Sequence, residues 1–361
     1  MNARGSLQWL RSRTLLVGSL IVLLSLALAA CGRGKDPIHQ TEILVFGTLV
    51  DITVWGVDDD TAQQATADVI KTLNDLHHRW HAWQPGPLTE INARLAKGES
   101  IALAPDQIEV IQGAQRLSRE SGYLFNPAIG NLIALWGFHA DDRPDDVPPP
   151  PGAAIERLVA AHPTMDDLRL DGDRLSSVNP AVQLDFGAYV KCYGVDRAIA
   201  ILRKHGVENA IVNAGGDLRA IGRKGDRPWR IGIRDPRGTG ILASIEVQGD
   251  ESVFTSGDYE RFFIWKGKRY HHIIDPRSGY SPDGAMSATV IYTGPEGGVG
   301  GGASTALMVA GPKEWLKVVG GMHLAQAMVI GADRTVYLTP TLAKRLHFEG
   351  EPKPRVIIGQ P

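Results

Sequence analysis

From Gly47 to Trp55 apolar and polar positions alternate. Val50, Ile52 and Val54 fall on one side, and Asp51, Thr53 and Trp55 on the other. That period of two predicts a strand with one wet face. Over residues 61–80 the period becomes helical, with Ala65, Val69, Leu73, Leu76 and Trp80 on one face behind the acidic start Asp58-Asp59-Asp60. Ile108, Ile111 and Leu117 predict a second helix from Asp106 to Ser121, stopped by Gly122. A third spans Ala188 to His205 and ends at Gly206. Between them, His139–Gly152 holds Asp-Asp-Arg-Pro-Asp-Asp and a further run of prolines, which suits neither a helix nor a central strand, so an exposed loop is expected.

Short β runs then alternate with turns: Ala210–Asn213, Trp229–Arg234, Ile241–Val247, Phe262–Trp265 and Ser287–Tyr292. Ala303–Met308 and Lys313–Val319 read as helices, and Ala325–Ile330 and Thr335–Leu338 as late strands. Hairpins mixed with helices predict an α+β fold rather than a doubly wound parallel sheet. The net charge of -2 over 361 residues, without a long basic run, makes nucleic acid an unsuitable partner.

The N-terminus sets the expected compartment. Arg4, Arg11 and Arg13 precede an apolar stretch from Leu15 to Ala30, and Leu28-Ala29-Ala30 leads into Cys31. A basic start, an apolar middle and small residues before a cut mark a secretory leader. The cysteine resembles that of a bacterial lipobox, which predicts a signal peptide over 1–30, lipid on Cys31 and a linker over 31–45. A periplasmic-side, membrane-anchored lipoprotein follows, on the inner or outer membrane. With Cys31 acylated, Cys192 has no disulfide partner and reads as a small buried apolar residue.

Four polar, glycine-rich clusters lie between apolar runs: Asp185-Phe-Gly-Ala188-Tyr-Val-Lys191-Cys-Tyr-Gly-Val-Asp196, Asn213-Ala-Gly-Gly-Asp217, Thr255-Ser256-Gly-Asp258-Tyr-Glu-Arg261 and His271-His272-Ile273-Ile-Asp275-Pro-Arg-Ser-Gly279. A core has no use for so many hydrogen-bonding groups at element ends. A polyphosphate needs N–H groups, hydroxyls and charge to converge on it. In order and spacing the clusters resemble the ApbE family of FAD:protein FMN transferases. The likeness extends from Gly47-Thr48 through Phe125-Asn126-Pro127 and Leu135-Trp136-Gly137-Phe138 to about Gly311.

The resemblance implies a two-lobed α+β fold of mixed, mostly antiparallel sheets flanked by helices, over 46–361. It also implies an activity: FMN moves from FAD to a Thr or Ser hydroxyl of an extracytoplasmic redox-protein subunit, and AMP leaves. That chemistry needs a neutralised diphosphate, a deprotonated hydroxyl and in-line geometry. His272 is the candidate base, with Asp275 orienting either it or the following turn. Flavin-nucleotide contacts fall on Phe46, Trp83, Leu124, Phe125, Asn126, Asp185, Lys191, Asn213, Asp217, Thr255, Ser256, Asp258 and Ile273. For Trp83, stacking on the isoalloxazine and a core role both stay open. For Lys191, phosphate binding and a solvated position both stay open. Magnesium, in the family, uses the Ala188 carbonyl, an Asp and a Thr.

Here the Thr is Thr305, but Gly301 stands where the family carries the Asp. The run Gly297–Thr305 reads as flexible, and Glu296 could swing in as a substitute ligand. Two alternatives therefore accompany the transferase: an FAD-binding lipoprotein without transfer, restored by Gly301→Asp, and an FAD pyrophosphatase.

Overall fold

The computed structural model describes residues 38–139, 147–247, 249–294 and 297–361. The expected leader, Cys31 and Glu296 lie outside them, as do residues 140–146 of the expected proline-rich loop. The described chain begins with β1 (Ile38–Val45) and β2 (Thr48–Trp55), then helices α1 (Asp59–Trp80) and α2 (Pro87–Ala96). Next come β3 (Ile101–Ala102), α3 (Pro105–Glu120), α4 (Gly130–Trp136), α5 (Gly152–Ala160), β4 (Leu168–Asp171) and β5 (Arg174–Ser177). Helix α6 (Gly187–Lys204) leads into β6 (Asn209–Ala214), β7 (Asp217–Gly222), β8 (Trp229–Arg234) and β9 (Ile241–Val247). After β10 (Gly249–Gly257), the hairpin β11 (Phe262–Trp265) and β12 (Lys268–His271), and β13 (Ala285–Thr293), helix α7 (Gly297–Gly321) crosses back. The chain finishes with β14 (Ala327–Gly331), β15 (Val336–Leu338), α8 (Pro340–Ala343), β16 (His347–Phe348) and β17 (Val356–Ile358).

A nine-stranded sheet, ordered β1-β2-β6-β7-β10-β13-β14-β15-β17, forms the middle layer. Every pairing in it is antiparallel except β15 with β17. On one face α6 packs against β6 and β7, and α7 against β10, β13 and β14. On the other, Leu218, Val253, Met286 and Ile291 meet Trp229, Ile231 and Ile245 of the β8–β9 sheet. The fold is α+β, as expected.

Val50, Ile52 and Val54 are essentially sealed from water, because the wet face of β2 is the one opposite α1 and α6. Helix α1 starts where the acidic cap predicts, with the Thr61 N–H donating to Asp58 Oδ1 at 2.8 Å. Two expectations need correction. Residues 38–45 of the expected linker are an edge strand, which the sequence conceals because its inward face (His39, Thr41, Ile43, Val45) is half polar while the apolar Ile38 and Leu44 lie on the exposed face. The run Gly297–Thr305 is not a loose loop: it is the first half of α7, continuous to a break at Gly311 (φ 57°, ψ −172°) before Pro312.

Asp196, the last residue of the first cluster, has a structural task. Arg219, 2 % exposed, donates from Nη1 to Asp196 Oδ1 at 2.9 Å, and from Nε and Nη2 to the Asp250 oxygens at 2.7 Å. One guanidinium thus ties α6, β7 and β10 together. Arg219→Met should cost about 2–3 kcal/mol in urea unfolding, below the full penalty for an orphaned buried charge because water still reaches both aspartates.

Candidate active site

The start of α6, the turn between β1 and β2, the ends of β7 and β10 and the strand-like segment after β12 converge. Asp185 stands two residues before α6. Its Oδ1 accepts the Gly187 N–H at 2.9 Å and its Oδ2 the Trp83 indole N–H at 3.3 Å. Burial pushes this carboxyl above its ordinary value, while those two donors and the positive charge of Arg261 pull it back. Trp83 therefore serves Asp185 with its edge, and its ring also meets His139 at 5.3 Å.

One turn along α6, Lys191 Nζ lies 2.5 Å from Asp217 Oδ2, and the Thr255 N–H donates to Asp217 Oδ1 at 3.2 Å. Burial works against the ammonium, but Asp217 prevails and keeps the Lys191 pKa above its usual value. Ser256, next along β10, reaches Ser304 Oγ at 2.8 Å and Thr305 Oγ1 at 3.5 Å on α7. Lys191, Asp217, Ser256 and Thr305 thus form one connected group.

His272 borders the same group. Its backbone N–H donates to the Arg261 carbonyl at 3.0 Å. Its ring Nδ1 is buried without a hydrogen-bond partner among the described residues. Burial first, then the charges of His271, Arg261 and Lys191, push the imidazole down to about 3. The ring is therefore neutral at pH 7, dry on one nitrogen, and close to the charges of Arg261 and of the Lys191–Asp217 pair. A diphosphate is the complementary charge. Its neighbour His271 does other work: Nε2 donates to the Pro282 carbonyl at 2.8 Å, locking the loop.

Several expected contacts turn elsewhere. Asp275 does not orient His272. Its carboxylate accepts from the backbone and guanidinium of Arg277 at 2.9 Å, while its carbonyl closes the turn onto Gly279. Asp258 is gripped by Arg237 through both oxygens, at 2.7 and 2.5 Å, and anchors the β8–β9 loop. Asn213 sits on the sheet face opposite α6, because Ala210, Val212 and Ala214 occupy the helix side. Its Oδ1 accepts the Gly216 N–H at 3.0 Å, and it borders a groove of about 740 Å³ shared with Asp51 and Arg230.

Thr255 offers the site its backbone only, since its hydroxyl meets Thr289 at 2.9 Å. Leu124, Phe125 and Ile273 are core residues, and buried Asn126 braces its own turn by accepting the Ala128 N–H at 3.1 Å while donating to the distant Pro163 carbonyl at 2.9 Å. Phe46, in a left-handed turn (φ 57°), meets His77 edge-on at 5.8 Å.

Arg261 and Ser304 are the additions. Arg261 lies in the third cluster, but a single arginine after a tyrosine and a glutamate gives no sign of its target. In the fold its guanidinium lies against Gly47, so close that a Cβ there would be 2.2 Å from Nη2.

The family model described as the ApbE family matches residues 46–329. The chain belongs to the ApbE family. A protein from Rhodobacter capsulatus named FAD:protein FMN transferase is 37% identical over 88% of this chain, which spans 60% of that protein's length. A Haemophilus influenzae protein of the same name is 28% identical over 89% of this chain and 94% of its own length. Among solved structures, the ApbE protein of Thermotoga maritima superposes with a TM-score of 0.78 at 28% identity, covering 87% of this chain and all of its own. The flavin transferase ApbE from Vibrio cholerae gives 0.73 at 26% identity, covering 86% of this chain and all of its own.

ApbE-family likeness implies magnesium, so the donors at α6 and α7 can be tested for fit. Among the described residues no group of three His, Cys, Asp or Glu side chains could hold a cation. What remains near Gly301 is the Ala188 carbonyl and the hydroxyls of Ser256, Ser304 and Thr305. These hard, neutral oxygens suit a magnesium ion whose other ligands are water and substrate phosphate, and not one caged by protein alone.

Proposed function

We propose that this chain transfers the FMN half of FAD to a Thr or Ser hydroxyl of another protein and releases AMP. The observation that carries the reading is the cluster itself: His272, with an unpartnered buried nitrogen, lies close to the positive charges of Arg261 and Lys191 near the start of α6. The diphosphate of FAD is neutralised by Lys191 and Arg261. The acceptor oxygen bonds to the FMN-side phosphorus, its proton passes to His272, and the bond to the bridging oxygen breaks with its electrons leaving on AMP. A magnesium ion held by the Ala188 carbonyl and Thr305 would supply further neutralisation of the phosphates.

The leader pattern supports a site of action outside the cytoplasm, with lipid on Cys31 tethering the domain to the periplasmic side of a membrane and a redox subunit there as acceptor. Incubation with FAD, Mg²⁺ and a Thr-bearing acceptor should leave a fluorescent flavin on the acceptor after denaturing electrophoresis. Unlabelled acceptor with FMN and AMP free in solution would replace transfer with hydrolysis.

A further inference from the structure

We infer that Gly301 and Cys192 together make the divalent cation of this chain a passenger of the nucleotide: neutral oxygens and the bound phosphates hold it, and no carboxylate among the described residues does. This rests on the flavin reading above and concerns the same cleft.

The first half of α7 is pressed against its neighbours through glycines. A Cβ at Gly301 would lie 2.4 Å from the Ala188 carbonyl oxygen and 2.6 Å from Cys192 Sγ. Non-bonded carbon contacts settle near about 3.5–4.0 Å, so either approach is a collision. The first partner is helix backbone and cannot swing aside. Helix α7 cannot readily retreat either, because a Cβ at Gly300 would be 1.7 Å from Phe254 Cδ2 and one at Gly302 3.1 Å from both Leu117 and Phe125. Any side chain at 301 must therefore push the two helices apart. Cys192, fully buried, fills with sulfur the space such a side chain would need.

The carboxylates beside α6 are committed among the described residues: Asp185 accepts the Gly187 N–H and the Trp83 indole N–H. Asp217 is paired with Lys191 at 2.5 Å and holds the Thr255 N–H. The cation is thus offered the Ala188 carbonyl and, one helical turn beyond Gly301, the Thr305 hydroxyl. Magnesium sheds water reluctantly and is normally held by carboxylates and substrate phosphates together. Without the carboxylate, the phosphates must bring the charge. Binding of cation and FAD is then strongly and reciprocally coupled.

The test uses the full chain with Mg²⁺ and FAD as probes, in calorimetry and thermal melts. Millimolar Mg²⁺ alone should give no binding heat and no change in Tm, whereas it should tighten FAD binding on the order of tenfold or more. Gly301→Asp and Gly301→Ala should both lower Tm, and Gly301→Asp should acquire no Mg²⁺ binding without FAD. Adding Cys192→Ala to Gly301→Ala should cost less than the sum of the two changes, since one collision is relieved.

Binding of Mg²⁺ to the FAD-free wild type below millimolar concentration would overturn the inference, as would a Gly301→Asp variant with unchanged Tm. FAD binding that Mg²⁺ does not tighten would overturn it alone. FAD that fails to bind under any condition would overturn the flavin reading as well.

Discussion

His272→Ala should lower the rate of flavin transfer by about a hundred- to ten-thousand-fold, the usual contribution of a positioned base, with little change in FAD affinity. The expectation rests on geometry: the ring nitrogen is buried without a partner beside Arg261 and Lys191, so its loss removes a proton acceptor and no structural bond. The pH dependence carries a sign. In the free protein the ring titrates at about 3, so kcat/KM should show no acid limb from His272 between pH 5 and 8. Bound diphosphate brings negative charge and raises the basicity of the ring, so any acid limb in kcat should lie at higher pH than in kcat/KM.

Stability follows the same linkage. The unfolded histidine takes up its proton near 6.5 and the folded one near 3. The unfolded chain therefore binds the proton first, and stability falls as pH drops from 6.5 toward 3. Above 6.5 both forms are neutral and the group has no effect. Urea unfolding of wild type and His272→Ala at pH 7 and pH 5 should show the variant gaining relative stability at the lower pH. Equal pH slopes would contradict a buried neutral ring.

Lys191→Met should be the most destabilising single change at the site. Its partner Asp217 has a side chain only 5 % exposed, and without the ammonium that carboxylate keeps one backbone N–H. Removing one member of a buried pair costs about 3–5 kcal/mol, which for a chain of this size lowers Tm by roughly 4–7 °C. FAD affinity should also fall about ten- to a hundredfold through loss of a charge-assisted contact. Adding Asp217→Asn removes the stranded charge, so the double variant should recover Tm and remain weak for FAD. Recovery of both would assign Lys191 a purely structural part.

Much of the fold is legible in the chain because periodic burial is a local signal. The alternation of Val50, Ile52 and Val54 and the stripe from Ala65 to Trp80 each predict their element, since one face of each meets the core. β1 escapes the same reading because His39 and Thr41 share its inward face with Ile43 and Val45, while Ile38 and Leu44 lie outward. The site is legible as clusters and not as contacts. Lys191, Asp217, Ser256 and Thr305 meet across elements far apart in sequence, whereas Asp258 and Asp275, equally conspicuous in their motifs, are engaged by Arg237 and Arg277. No spacing rule distinguishes a carboxylate awaiting a ligand from one already holding a guanidinium. Gly301 is the converse case. A missing carboxylate reads as lost chemistry or as slack, and only the crossing of α6 and α7 shows it as a requirement for close approach.

The edge position of β1 has a consequence for reach. Cys31 and Ile38 are seven residues apart, and a fully extended chain spans at most about 3.6 Å per residue, so a lipid on Cys31 would keep the start of β1 within about 25 Å of its anchor. The strand then runs eight residues, about another 26 Å at strand rise, before its turn delivers Gly47 to Arg261. With lipid on Cys31, β1 would act as a boom: a stiff strut, braced by β2, that limits how far above the bilayer Gly47 and Arg261 could stand. On such a tether an acceptor threonine would have to be displayed inside a radius of some 50 Å, which would favour proteins seated in or on the same membrane over those diffusing freely.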